Sequence, residues 1–369
     1  MGHLFHDAPI NFSREPLFLG TGRNIARLDL NLEPGITKMH ESAMGKLWFA
    51  GDFSYSKDAT DYIKADPKLR NLYMKNFKFQ TFADSVAARS VAEVFLPITT
   101  NPELETWWYQ HAFFENCVHS QTYADILKGL PVDSKAIFDD IMLNPDILKR
   151  ASSIISCFED TVKHNSRMIL DLGYDKELHK KSIVLSLFAL NILEAVYFKS
   201  SFITSFAFKE QGLFSITADA ITKIALDEIG HYAMTVNLLN RLRADPEWAY
   251  IFHDFSDEID KLYSDAIQAD FMWIDYLFED GVKLMGVNKV ILKQYVTYNL
   301  HSVMTSVKQT PILDKVPNPC VWSNKYSKPS GIQTAQKEKT SGNYLLGIVD
   351  TNVNWNKLSS ELPGNSYYE

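Results

Sequence analysis

The sequence predicts an all-α protein, a bundle of long helices. Glycine and proline are sparse between residues 65 and 310 and leave long uninterrupted stretches. Strand-type alternation of apolar and polar residues is absent throughout. Apolar residues make up 46% and aromatic residues 13% of the 369 positions, which is enough for one large core. Asp66-Pro67 reads as a helix start with proline at the first helical position, and this helix can run over 67–96, up to Pro97. Pro102 opens a second, to about Lys128, ahead of Gly129 and Pro131. Pro145 opens a third that ends near Gly173. Further helices are expected over 176–210, 216–244, 246–280 and 287–307. Long helices with short connections make a bundle. No internal repeat with a period of roughly 20–50 residues is present.

The C-terminal part differs. Pro311, Pro317, Pro319, Pro329 and Pro363 fall among many Ser, Asn, Lys and Gly, with apolar islands at Tyr344-Leu345-Leu346 and Tyr367-Tyr368. This predicts a helical domain over residues 1–310 and a flexible tail over 311–369 that carries short recognition segments. A terminus that wraps the bundle is the alternative.

Charge and cysteines exclude several classes. A formal net charge of −8 without a dense Lys/Arg block argues against a nucleic-acid-binding surface. Cys117, Cys157 and Cys320 form no close pair, so neither a disulfide framework nor a CxxC site is expected. The segment MGHLFHDAPINF has no basic and apolar regions of a signal peptide, and it lacks the Ser/Thr of a myristoylation motif. Residues 183–206 are apolar enough and long enough to suggest a membrane span, but Glu194 sits at the centre with Lys199 close behind. A helix buried on all sides of a soluble bundle explains the segment better, and a cytoplasmic protein without membrane contact is the expectation. Glu194 is then a buried carboxylate in need of a partner.

Three other acids share that predicament. Asp84 has Phe77, Thr81, Ala87, Ala88 and Val91 at helical spacing. Glu115 has Trp108, Ala112 and Val118, together with His111 and His119. Glu228 has Ile221, Ala225 and Tyr232, with His231 a turn on. Any one of these acids can be satisfied inside a core by Arg, Lys or a backbone amide. Their order is more informative. Glu228 and His231 lie about 60° apart around a helix, and Glu115 and His119 about 40° apart. Each pair can aim a carboxylate and an imidazole at one point, and two further helices each supply one carboxylate. That is the ligand set of a di-iron or di-manganese carboxylate bundle. Mixed oxygen and nitrogen donors suit Fe(II) or Mn(II) better than structural zinc. His179, in the charged run 176–181, is expected to be solvated, and His164, His253 and His301 are expected to be structural.

These residues resemble the small, radical-generating subunit of class I ribonucleotide reductase, of the tyrosyl-radical di-iron type. The resemblance covers most of the chain. It is carried by Phe79-Gln80-Thr81-Phe82-Ala83-Asp84-Ser85, by Pro102-Glu103-Leu104-Glu105-Thr106-Trp107 with Glu115 and His119-Ser120-Gln121-Thr122-Tyr123, by Leu193-Glu194-Ala195-Val196-Tyr197-Phe198, and by Ala225-Leu226-Asp227-Glu228-Ile229-Gly230-His231. It implies a ferritin-like fold and two iron ions per chain, manganese or a mixed pair being the alternative. Asp84, Glu115 and His119 would hold one ion, and Glu194, Glu228 and His231 the other. Tyr123 would carry the radical inside a pocket of Phe198, Phe202 and Ile224. Trp48 and Asp227 would pass it outward, and Glu338 and Tyr344 would relay it to the large subunit, on which the last residues dock. The implied assembly is a homodimer working with that large subunit to reduce ribonucleotides, the diphosphates being favoured.

The sequence departs from the family at three points. The second helix carries Glu115-x-x-x-His119, one residue longer than the family's Glu-x-x-His, so either Glu115 or Asn116 can face the metal. A π-bulge would absorb the extra residue and keep Glu115 in place, and an anionic oxygen neutralises metal charge where Asn does not. Leu226 stands where many relatives carry Arg, and the connection at 172–180 lacks a hairpin that some have. A di-metal oxidase or oxygenase of the same fold, or a ferroxidase, is the alternative function.

Overall fold

The structure is a computed structural model that describes residues 5–327. Among the described residues it is helical, with two isolated β-bridges and no longer strand. In chain order the α-helices are α1 (Pro34–Met44), α2 (Ser56–Lys64), α3 (Pro67–Arg89), α4 (Pro102–Phe113), α5 (Ser120–Gly129), α6 (Ser134–Ile141), α7 (Pro145–Leu170), α8 (Lys176–Ile192), α9 (Phe198–Glu210), α10 (Ser215–Ala244), α11 (Ala249–Asp254), α12 (Ser256–Leu277) and α13 (Lys289–Ser306).

The predicted starts have a visible chemical cause. Asp66, Asn101 and Asn144 each place a side-chain oxygen on an orphan N–H of the first turn, and the proline that follows has no N–H to satisfy. Helix α10 is capped from elsewhere: its preceding residue, Phe214, is left-handed (φ 49°) and offers no cap, and the buried Asp58 of α2 accepts from the N–H groups of Ile216 and Thr217. The tight connection before α8 uses Asp171 and Gly173 at positive φ.

Three long helices contain a π-helical turn. Ser90–Phe95 extends α3, Phe114–His119 joins α4 to α5, and Leu193–Tyr197 joins α8 to α9. The run Lys176–Glu210 is apolar enough to cross a membrane, yet 89% of its most apolar stretch is buried inside the bundle. It packs between α7 and α10 and is a core helix.

The structure differs from the sequence reading in four places. Helices α1, α2 and α6 lie in stretches assigned no helix, and 246–280 is broken at Phe255, whose backbone is non-helical (φ −117°, ψ 28°). His179 is buried, not solvated: it stacks on His164 at 5.7 Å and pairs with Asn165 Oδ1 at 2.8 Å, because the first turn of α8 packs against the end of α7. Residues 311–327, which composition places in the tail, lie against the bundle, with Cys320 buried and Tyr326 stacked on Phe206 at 4.2 Å.

Candidate metal centre

Asp84 projects from α3, Glu115 and His119 from the π turn between α4 and α5, Glu194 from the π turn between α8 and α9, and Glu228 and His231 from α10. All six are buried and converge. Asp84, Glu115, His119 and Glu228 form one group whose ligand atoms lie within 4.8 Å of one another, and Glu115, Glu194 and His231 form a second together with His111 of α4. His119 Nδ1 is 3.1 Å from Asp84 and 3.3 Å from Glu228. His231 Nδ1 is 2.6 Å from Glu228 and 2.9 Å from Glu115. Glu115 belongs to both groups, and Glu228 reaches the imidazoles of both.

The π turn decides which residue faces inward. It takes up the extra residue of the second-helix motif, so that Glu115 and His119 point into the cluster and Asn116 lies on the exposed side.

The donor set fits cations. Glu115 Oε2, Glu194 Oε2 and Glu228 Oε1 are buried and accept no hydrogen bond among the described residues. Such atoms are costly unless a positive charge meets them. In the bare protein, protons supply part of that charge. Burial pushes the Asp84 carboxyl up to about 8 against the pull of His119. Burial and the charge of Glu228 raise Glu194 well above the carboxylate range. Burial disfavours charged His119 and His231, but Glu115 acting on the first and Glu228 on the second outweigh it and raise both. Burial also works to raise Glu115, and the two imidazoles overcome it and hold that carboxyl low. Two divalent ions would balance four carboxylates while leaving the imidazoles neutral.

Around this core, Asp227 Oδ2 accepts from Trp48 Nε1 at 2.7 Å and lies 3.2 Å from His119 Nε2, so an unbroken polar path joins Trp48 to the cluster. Tyr123, one turn past His119, is fully buried, with its hydroxyl beside Asp84. Burial and the neighbouring Asp84 hold its pKa well above 10. Phe198 and Phe202 stack at 5.6 Å, and Ile224 is fully buried. The ring that meets Tyr123 edge-on, at 5.5 Å, is Phe77. Phe77 and His111 both stood in the sequence as neighbours on ligand faces, which was the available signal. Glu338 and Tyr344 lie outside the described residues.

An all-helical bundle that gathers buried carboxylates and imidazoles from four helical stretches is a candidate di-metal carboxylate protein. The chain belongs to the ribonucleotide reductase small-chain family, whose sequence profile matches residues 32–319. It is 35% identical over 363 residues to ribonucleoside-diphosphate reductase 1 subunit beta of Escherichia coli O157:H7, covering 94% of this chain and 96% of that one. It is therefore a subunit of an oxidoreductase. Its fold is similar to that of a ribonucleotide reductase R2 subunit from Clostridium botulinum, with a TM-score of 0.76 at 20% identity over 88% of this chain and 98% of the other. It is also similar to a dimanganese(II) NrdF of Streptococcus sanguinis, with a TM-score of 0.64 at 17% identity over 84% and 99%.

Proposed function

We propose that the cluster holds two iron ions and that the chain generates a tyrosyl radical at Tyr123 for a large subunit that reduces ribonucleoside diphosphates. The observation that carries this reading is Tyr123 itself. A buried phenol stands one helical turn from a metal-ligand imidazole, with its hydroxyl beside Asp84. When bound and exposed to O₂, the metal pair supplies the oxidising equivalent. Tyr123 then loses one electron from its ring and its phenolic proton, and Asp84 is the base nearest that proton. Phe77 excludes water from the ring, with Phe198, Phe202 and Ile224 as further apolar walls. Trp48 and Asp227 carry the hole outward along their hydrogen bond, and Glu338 and Tyr344 pass it to the partner. Asp84, Glu115, His119, Glu194, Glu228 and His231 are the proposed ligands. Manganese is the second metal reading, favoured by the similarity to a dimanganese protein. Three free cysteines suit the reducing cytoplasm, and a homodimer is the proposed assembly.

The test is electron paramagnetic resonance after Fe(II) and O₂ are added to apoprotein. A tyrosyl signal that disappears in Tyr123→Phe is expected. If no radical forms with either iron or manganese in protein that supports ribonucleotide reduction, the proposal fails.

A further inference from the structure

His111 sits on α4 one turn before Glu115, and the six-residue ligand set leaves it unused. Its ring is fully buried between Trp108, at 6.0 Å, and His231, on which it stacks at 3.7 Å with only 16° between the planes. Its Nε2 is 3.2 Å from Glu194 Oε1 and 3.7 Å from Glu115 Oε1. Two donors on one ion with bonds of about 2.1 Å stand roughly 3.0–3.4 Å apart, so Nε2 occupies the radius at which a ligand belongs.

The surroundings of the ring agree with that position. The other nitrogen, Nδ1, is buried without a hydrogen bond among the described residues. Nε2 is thus the ring nitrogen turned to the carboxylates of Glu194 and Glu115, and the one that can meet a metal ion.

We propose that His111 is a third imidazole ligand, binding through Nε2 the divalent ion on the Glu194–His231 side. This rests on the metal-binding reading above. The pair is then held by four carboxylates and three imidazoles, with two nitrogens on one side and only His119 on the other. Imidazole suits Fe(II) and carboxylate suits Mn(II), so the nitrogen-rich side discriminates against Mn(II) more strongly than its neighbour does.

The test is a crystal structure of the full chain loaded with Mn(II), with competitive metal titrations of wild type, His111→Gln and His111→Ala. A His111 Nε2–metal distance of about 2.2 Å is expected. Both variants should lose at least about 10-fold affinity at one site, the loss that even an outer-shell partner gives, while the other site holds. Free imidazole should restore binding in His111→Ala. An Nε2–metal distance beyond 3 Å, or wild-type affinity at both sites in His111→Gln, overturns the proposal. If a variant fails to fold, the wild-type distance still decides. Failure of wild type to bind any metal is a separate result, which would remove the metal-centre reading itself.

Discussion

Arg150 of α7 and Glu194 of the α8–α9 turn are both charged groups buried in the same bundle, and the protein satisfies them in opposite ways. Arg150 is paired from within. Its guanidinium donates to Asp270, to the hydroxyls of Ser200 and Ser201 and to the carbonyl of Tyr197, and it lies 3.6 Å over the Phe79 ring. Its opposite charge comes from α12. Glu194 is surrounded by more acids, and its one hydrogen bond among the described residues comes from His111. Burial of charge is expensive in both places. Where the chain supplies the counter-charge, the cluster serves the fold. Where the chain supplies like charges and orphaned oxygens instead, the missing charge has to come from outside the chain.

The sharpest way to break this comparison is to remove one acid from each cluster. Metal should stabilise the wild type by about 4 kcal/mol at a free concentration near a thousand times Kd. In Glu115→Ala this gain should vanish together with the bound metal, and in the exposed Asn116→Ala both should remain, as read by metal analysis and thermal melting with and without metal. At the internally paired cluster, Asp270→Ala should cost about 3–5 kcal/mol in urea unfolding, with or without metal, because it strands Arg150.

The buried pair His164 and His179 offers a smaller test. Burial pushes the His179 imidazole down to about 4, with the neighbouring His164 adding to the effect. Its unfolded value is near 6.5. Between these values the unfolded chain binds the proton and the folded chain does not, so stability is full above about pH 6.5 and falls as pH drops toward 4. The loss should be at most about 3 kcal/mol, and urea unfolding at pH 7 and pH 5 should show a flatter pH dependence in His179→Gln. Least of all, Lys135→Ala, which breaks an exposed pair with Asp139, should change stability by less than about 0.5 kcal/mol.

Much of the fold was legible because its signals are local. A side chain such as Asp66 or Asn144 that caps its own helix, followed by proline, acts within one turn. So does the spacing that aligns Glu228 with His231. Helices α1, α2 and α6 escaped because they are short, and such helices depend on tertiary packing more than on propensity. His179 escaped because Lys176, Lys180 and Lys181 make its stretch look solvated, while the burying surface is supplied by His164 and Asn165 of another helix. His111 was visible on the face of Glu115, but one histidine on an apolar face says little until its distances to Glu194 and His231 are known.

By itself the sequence determined the helices, the acids stranded on their apolar faces and the order in which they occur, since a period of about 3.6 residues is a property of each segment alone. Only the tertiary structure decided that Glu115 faces inward rather than Asn116, that His111 joins the cluster, and that Trp48 reaches Asp227 across 179 positions. Those outcomes depend on π turns and on how helices cross, and crossing is set by the packing of one surface on another.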